Sequence, residues 1–553
     1  MTGGKCSRHQ IGHNHKTINN SIYNTNNRAE KSYFNTKQMQ KESRVYKSLL
    51  NAKVSLLFYF ISIAISFFSR KIFLDNLGAE FMGLGGTIAE ILGFLSLAEL
   101  GVATATSYNL YKPLQQGDKK RIEELVSVIG YLYRKIGCFV IIAGIIISLF
   151  IPLIFGKTPF DLGLLYFGFY CVLFSSACTY LINYRQIILS ADQKNYIVTG
   201  YLQTAGIIKV FLQMGAAYYW HNYYIWFALD LIFAIVGCII LNKRIDKSYP
   251  WLKASVKKGK IAFPNNKELI NSTKQVFVHK LKDFLLNRTD QIMIFAFVSL
   301  KMVAYYGNYT IVVSRISSLF SSVLDSFTAG VGNLVAEGDK GNQLKVFWEI
   351  SSIRYFIGGT LVFCLYCFIE PFICLWLGKE YILNRWILVL LMTNTFIMQT
   401  RGAVDMFNHA FGHYGDIWAA WVEGAINISI ALICAPFIGI CGILLGKFIS
   451  MFFIIVLWKP IYLFRDGFKM SILTYWKKII RYYLAFVISM AIGLWIKNTL
   501  PIQEESSFVN LISKSILCIT TFSLVYTFTL YAIAPGCKDL AKRIRISVFK
   551  KSL

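Results

Sequence analysis

The stretch Leu97–Lys120, LAELGVATATSYNLYKPLQQGDKK, starts as an apolar helix and ends as a basic, turn-rich loop. Glu99 interrupts the apolar part, and Gly101, Ala103 and Ala105 follow it. A carboxylate is costly in hydrocarbon, while small residues let helix backbones approach closely. Thr104, Thr106 and Ser107 can bond to backbone, and Lys112-Pro113 ends the helix at an aqueous face. The stretch therefore reads as a membrane helix packed at an interface. A static packed helix explains the small residues but not Glu99.

The whole chain has the same character. Of its 553 residues 55% are hydrophobic and only 16% charged, and the mean hydropathy is +0.50. That composition excludes an ordinary soluble domain and points to an all-α polytopic membrane protein. Fourteen apolar spans are expected, near 50–73, 82–110, 125–155, 160–184, 196–220, 222–242, 276–300, 303–336, 346–377, 381–409, 414–435, 437–458, 479–497 and 507–533. Each approaches or exceeds the roughly 20 residues a helix needs to cross a bilayer.

A net charge of +28 invites a nucleic-acid reading. The distribution argues otherwise. Most of the 57 Lys and Arg lie in the N-terminal tail, in alternate loops and in the C-terminal tail, and few lie in the opposite loops. This is the positive-inside pattern, with both termini cytosolic, and no nucleic-acid partner is expected. Anionic membrane lipids are natural partners for the same charges. Cys364 and Cys367 have metal-site spacing, but they lie in the apolar run LVFCLYCFIEPFICLWL without a second pair. They read as small buried hydrophobes, and no metal or cofactor is expected. His9, His13 and His15 sit in a polar tail and carry no specific role. Met39 is an alternative start, with MQKESRVYKSLL as a short lead-in to the first span.

The two halves match at a constant offset of 221. Gly117-Asp118-Lys119 recurs as Gly338-Asp339-Lys340, Gly86 as Gly307 and Gly83 as Ala304, and the turn Asp192–Asn195 corresponds to His413–Asp416. The expected organisation is a disordered cytosolic tail (1–46), an N-terminal six-helix bundle (47–243) and a basic cytosolic loop (244–275). A C-terminal six-helix bundle (276–460) and two extra helices with a basic cytosolic tail (461–553) complete it. Two parallel, pseudo-symmetric bundles favour a transporter with its site between them.

Charges inside spans mark cavities or partners. Span 1 carries Arg70 and Lys71, for which snorkelling to the interface is the alternative. On span 7, Lys280, Asp283, Asn287 and Asp290 share one helix face, with Arg288 beside them. Headgroup contact or a structural ion pair are the alternatives there. Span 8 carries Arg315 and Asp325, too far apart to pair, so Arg315 needs a ligand or a carboxylate from a neighbouring helix. Glu90, Glu99, Asp405 and Glu423 complete the set. Arg70, Lys280, Arg288 and Arg315 are the candidate substrate-binding residues, and Glu99 and Asp290 the candidate cation-coupling acids.

Two stretches carry a family resemblance. LGAEFMGLGGTIAEILGFLSLAELGVATATSYNLYKPLQQGDKKRI (Leu77–Ile122) and NRTDQIMIFAFVSLKMVAYYGNYT (Asn287–Thr310) resemble the bacterial polysaccharide-export flippases. These belong to the multidrug/oligosaccharidyl-lipid/polysaccharide (MOP) exporter superfamily. The resemblance covers about 45–535. It implies twelve core helices in two bundles and alternating access in the bacterial inner membrane. The implied cargo is undecaprenyl-diphosphate-linked oligosaccharide for O-antigen, capsule or exopolysaccharide. A polysaccharide polymerase and glycosyltransferases are implied partners, and H+ or Na+ implied coupling ions. Arg70 and Arg315 fall, by position, where related lipid II flippases keep essential arginines. Lys71 stands where those relatives carry an acid, and Asp290 belongs to the matching N-x-T-D motif. Spans 13 and 14 of those relatives form a groove for the lipid tail. A multidrug/cation antiporter of the same superfamily is the alternative. A membrane enzyme is not expected, because the outer loops are mostly short and lack an acidic cluster.

Overall fold

The computed structural model describes residues 11–95, 102–266, 289–413, 415–501 and 507–549. All regular structure among these is helical. Twelve helices among the described residues are long and apolar enough to cross a membrane. They match twelve of the fourteen expected spans. The other two, 82–110 and 276–300, overlap residues outside the description.

The first element, α1 (Ile11–Leu95), is two helices meeting at Gly78, where φ is +84°. Only glycine adopts that conformation freely, so the break falls there. The polar tail from Ile11 is helical and continuous with the first span, where its composition points to a separate disordered segment. Propagating an existing helix adds one hydrogen bond per residue, which extends it through polar sequence at little cost. Then come α2 (Val102–Gln116), α3 (Lys119–Ser148), α4 (Leu162–Ala191), α5 (Asn195–Trp220) and α6 (Tyr223–Ser248). Part of the basic loop is a short helix, α7 (Val256–Ala262), docked on α3. Gly259 lies so close to the Ser127 carbonyl that no side chain fits between them.

The second half comprises α8 (Asp290–Phe297), α9 (Leu300–Glu337), α10 (Lys340–Trp376), α11 (Arg385–Ala410), α12 (Ile417–Ile438) and α13 (Ile440–Gly467). The chain continues through α14 (Ile472–Thr499), α15 (Phe508–Ile533) and the basic α16 (Cys537–Phe549). Several helices outrun their apolar windows because their caps lie beyond them. The repeated Gly-Asp-Lys is such a cap in both halves. Gly117 and Gly338 take φ of +69° and +82°. Asp118 accepts from the Arg121 N–H, and Asp339 from the N–H groups of Gly341 and Asn342.

Most buried apolar residues fall into two large cores, beside a small third cluster of Ile397, Met451 and Ile455. One gathers Phe73 through Leu252 with Leu300; the other gathers Met293 through Ala534 with Leu74. They meet where α1 crosses α9. The extra helices α14 and α15 belong to the second core, packed on α10. Phe363 stacks on Phe522 at 4.1 Å, and Gly359 and Gly493 make room for Tyr526 and Phe363. The Tyr526 hydroxyl donates to the Tyr355 carbonyl (3.1 Å). α15 is thereby held as a fixed wall beside α1, α9 and α10.

Candidate functional site

The crossing of α1 and α9 is closely packed. A Cβ on Gly83 would collide with the Leu300 carbonyl. Arg70 reaches from α1 to α9, where Nε donates to Asn308 Oδ1 (2.7 Å) and Nη2 to the Ala304 carbonyl (3.0 Å). In the register of 221 the counterpart of Arg70 is Gln291. Each faces a glycine of the opposite half. A Cβ on Gly307 would lie 3.4 Å from Arg70 Nη2, and one on Gly86 would lie 3.3 Å from Gln291 Oε1. The repeat is thus a pseudo-twofold in the packing. Arg70 bridges the halves and lines neither cavity described below.

One cavity, of about 460 Å³, is lined mainly by residues with polar side chains and lies among α1, α8, α9, α11 and α13. Asp290 opens α8 into it. Lys447 of α13 places Nζ 3.0 Å from Asp290 Oδ2, and the Tyr306 hydroxyl donates to the same oxygen at 3.5 Å. Asp290 Oδ1 has no hydrogen-bond partner among the described residues. Both side chains are largely withdrawn from solvent, so the pair cancels two charges that are each costly in a membrane. Glu90 and Gln291 also line this cavity.

The second cavity is an apolar groove of about 950 Å³ between α1, α9, α10 and α15. Phe67, Ile316, Phe368, Trp376 and Ile512 line it. Arg315 is on its wall, with Lys71 and Asp75, which face each other at 3.5 Å. The Arg315 guanidinium stands 5.9 Å from the Tyr59 ring centre, and the Tyr59 hydroxyl donates to the Arg315 carbonyl (2.8 Å). No carboxylate among the described residues pairs with Arg315, which leaves its fork of donors for an anion.

The structure does not bring the sequence-derived residues into one cluster. Arg70 is fixed near Asn308, and Arg315 is seven residues further along α9, about 10 Å of helix. Lys280, Arg288 and Glu99 lie outside the described residues. Asp325 pairs with Arg354 at 2.8 Å, and Asp405 with Arg401 at 2.7 Å. Sequence reasoning missed Lys447, the partner of Asp290. The signal was there, a single lysine inside the apolar run ICGILLGKFISM. It also missed Lys209 and Asp230, which pair between α5 and α6.

No protein-family model and no curated protein sequence matches the chain. Solved structures do. "Lipid II flippase MurJ, inward closed conformation" superposes with a TM-score of 0.59 at 16% identity, covering 88% of this chain and 99% of that one. An inward-facing multidrug resistance MATE family transporter of the MOP superfamily superposes with a TM-score of 0.50 at 12% identity, covering 73% and 94%. Both are transporters rather than enzymes. The likeness lies in the fold, and it spans nearly the whole of both proteins. The chain is a multi-pass membrane protein with the fold of MOP-superfamily transporters.

Proposed function

We propose that the protein is a flippase that carries undecaprenyl-diphosphate-linked oligosaccharide outward across the bacterial inner membrane by alternating access. This is the activity expected of the polysaccharide-export family whose motifs it resembles. One observation carries the reading: Arg315, without a carboxylate partner among the described residues, stands on the wall of a long apolar groove. A polyprenyl diphosphate is an apolar tail ending in an anion, and it matches both features. Guanidinium donors suit a diphosphate because two N–H groups can engage it in parallel. The groove wall supplied by α15 gives the helices beyond the core bundles a role in holding the tail. Glu99 and Asp290 are the acids through which an inward H+ or Na+ would couple.

A multidrug/cation antiporter is the second reading. It calls for a net acidic cavity to attract a cationic drug. Here Arg315 stands on the groove in addition to the Lys71–Asp75 pair, while Glu90 lines the other cavity in addition to the Asp290–Lys447 pair. The excess positive charge on the groove favours an anionic group at its wall.

The test is leaflet-resolved accumulation of the lipid-linked oligosaccharide in cells. Wild type is compared with Arg315→Ala and with a deletion, at matched expression. Build-up in the cytosolic leaflet in both altered strains supports the flippase and Arg315. Normal outward movement in Arg315→Ala removes that residue from the path. An unchanged lipid distribution in the deletion strain sinks the reading and brings the drug antiporter forward.

A further inference from the structure

The N-terminal bundle has a cavity of its own. A groove of about 610 Å³ runs along the contact between α5 and α6 and is lined by these two helices alone. The helices sit close, because a Cβ on Gly237 would touch Leu202 and Ala205 at 3.6 and 3.7 Å. Gly200 faces open space, and a Cβ there would meet nothing within 4 Å. Ile208, Val236 and Ile240 on the walls are exposed. Exposed apolar side chains on a membrane-spanning helix belong in hydrocarbon, so lipid is the natural filling.

One end of the groove is charged. The contacts of Lys209 with Asp230 and of Gly237 with Leu202 and Ala205 put Arg244, near the end of α6, level with Tyr196 at the start of α5. Lys243 and Lys247 are exposed beside it. The acids at this end are already engaged, Asp246 by Arg185 (2.6 Å) and Asp192 by Lys47 and Lys194. No carboxylate among the described residues pairs with Arg244, which keeps its fork of donors for an anion. The basic loop follows directly, so the positive-inside pattern assigns this end to the cytosol. From Tyr196 to Ile208 the groove follows about 18 Å of helix. One leaflet, half of the hydrocarbon core, is about 15 Å deep.

We infer that the α5–α6 groove is a binding site for an anionic phospholipid of the cytosolic leaflet. Its phosphate lies at Arg244, and one acyl chain runs past Gly200 toward Ile208. The length selects the tail, because a phospholipid chain reaches the depth of one leaflet, whereas an undecaprenyl chain is far longer and would overrun the groove. The charge selects the headgroup, because a zwitterionic lipid brings an ammonium of its own toward Arg244, Lys243 and Lys247. The site shares no lining residue with the groove on α1, α9, α10 and α15, and it stands whatever that groove carries.

The experiment uses full-length protein in phosphatidylcholine nanodiscs carrying a trace of one photoactivatable lipid. The two probes are phosphatidylglycerol and phosphatidylcholine with the same diazirine-bearing acyl chain. The readout is labelling of residues 196–208 and 233–244, mapped by mass spectrometry. Wild type is expected to be labelled about fivefold more by phosphatidylglycerol, the effect of one basic side chain at an anionic headgroup. Arg244→Gln should bring that ratio close to one. Gly200→Leu, whose side chain has room to fill the groove, should lower labelling by both lipids severalfold. Thermal melting alongside wild type checks the fold, and the two substitutions act on different ends of the site, so either folded variant decides. Equal labelling of wild type by both lipids, or a preference that survives Arg244→Gln, overturns the anionic site. Undiminished labelling in Gly200→Leu overturns the groove as the place of the chain. Unlabelled undecaprenyl diphosphate, added in equal amount to the probe, should leave the labelling unchanged. Loss of labelling there would overturn the phospholipid and put the groove on the path of a prenyl lipid.

Discussion

Gly83 and Gly85, two residues apart on α1, predict opposite outcomes. A methyl group on Gly83 runs into the Leu300 carbonyl, a backbone atom that can move only if α1 and α9 separate. Gly83→Ala should destabilise the protein by about 1–3 kcal/mol, the usual cost of overpacking. A methyl group on Gly85 meets the Trp226 ring at 3.7 Å, an ordinary contact. Gly85→Ala should be neutral or stabilising by up to ~1 kcal/mol, because alanine is the better helix former. Thermal melting in nanodiscs separates the two, and equal melting temperatures would remove the tight crossing. Asp290 and Lys447 make a second comparison. Asp290→Asn leaves a buried lysine uncompensated and should cost about 3–5 kcal/mol, while adding Lys447→Met should restore most of it. If the single variant melts like wild type, the pair is not what holds α8 against α13.

At the scale of elements, the N-terminal bundle is clasped at one end by Asp192, in the turn between α4 and α5. It accepts from Lys47 Nζ (2.9 Å), Lys194 Nζ (2.7 Å) and the Tyr249 hydroxyl (2.7 Å), tying together the start of the first span and the end of α6. Burial pushes the Asp192 carboxyl upward, but the hydrogen bonds from Lys194, Lys47 and Tyr249 outweigh it and hold the group below its ordinary value. A carboxyl depressed on folding contributes stability that is present above its unfolded value, near 3.9, and is lost as pH falls through the folded value. The difference in melting between wild type and Asp192→Asn should therefore be constant above about pH 5 and shrink below about pH 4. A difference that persists unchanged into that acid range would mean the clasp does not act through the charge. The elements themselves were largely legible in the sequence, because an apolar run that must cross a bilayer announces its length. Their ends were less so, since caps such as Asp339 and Ser471 lie outside the apolar windows. The break at Gly78, by contrast, falls in the gap between the expected spans 50–73 and 82–110. Side-chain partners were the least legible. Hydropathy flags a buried charge, but the choice of Arg354 for Asp325 and Lys447 for Asp290 is made by helices packing across long sequence separations.

At the scale of the molecule, the pseudo-twofold relates positions whose chemistry differs. Arg70 corresponds to Gln291, and Lys71 to Ile292. Two equal halves would give a symmetric cavity, whereas these differences put Arg70 at the crossing and Lys71 on the groove, and leave the uncharged Gln291 and Ile292 at the matching positions of α8. A symmetric frame with asymmetric charge suits a cargo that has an anionic junction between unlike ends. Such a cargo also responds to the membrane potential. A load of about two negative charges leaving an inside-negative compartment gains roughly 4–5 kcal/mol per 100 mV, enough to bias the distribution by about a thousandfold. An inward cation moving with it would add to that bias, and a cation exported alongside it would subtract. In proteoliposomes carrying the lipid-linked oligosaccharide, an imposed inside-negative potential should therefore raise the outer-leaflet fraction, and collapsing the potential with an ionophore should lower it. Removing both Glu99 and Asp290 should reduce the dependence on H+ or Na+ while leaving the dependence on potential, because the cargo's own charge remains. An outer-leaflet fraction indifferent to potential would mean that the cargo crosses neutralised, and the potential would then no longer account for the direction of transport.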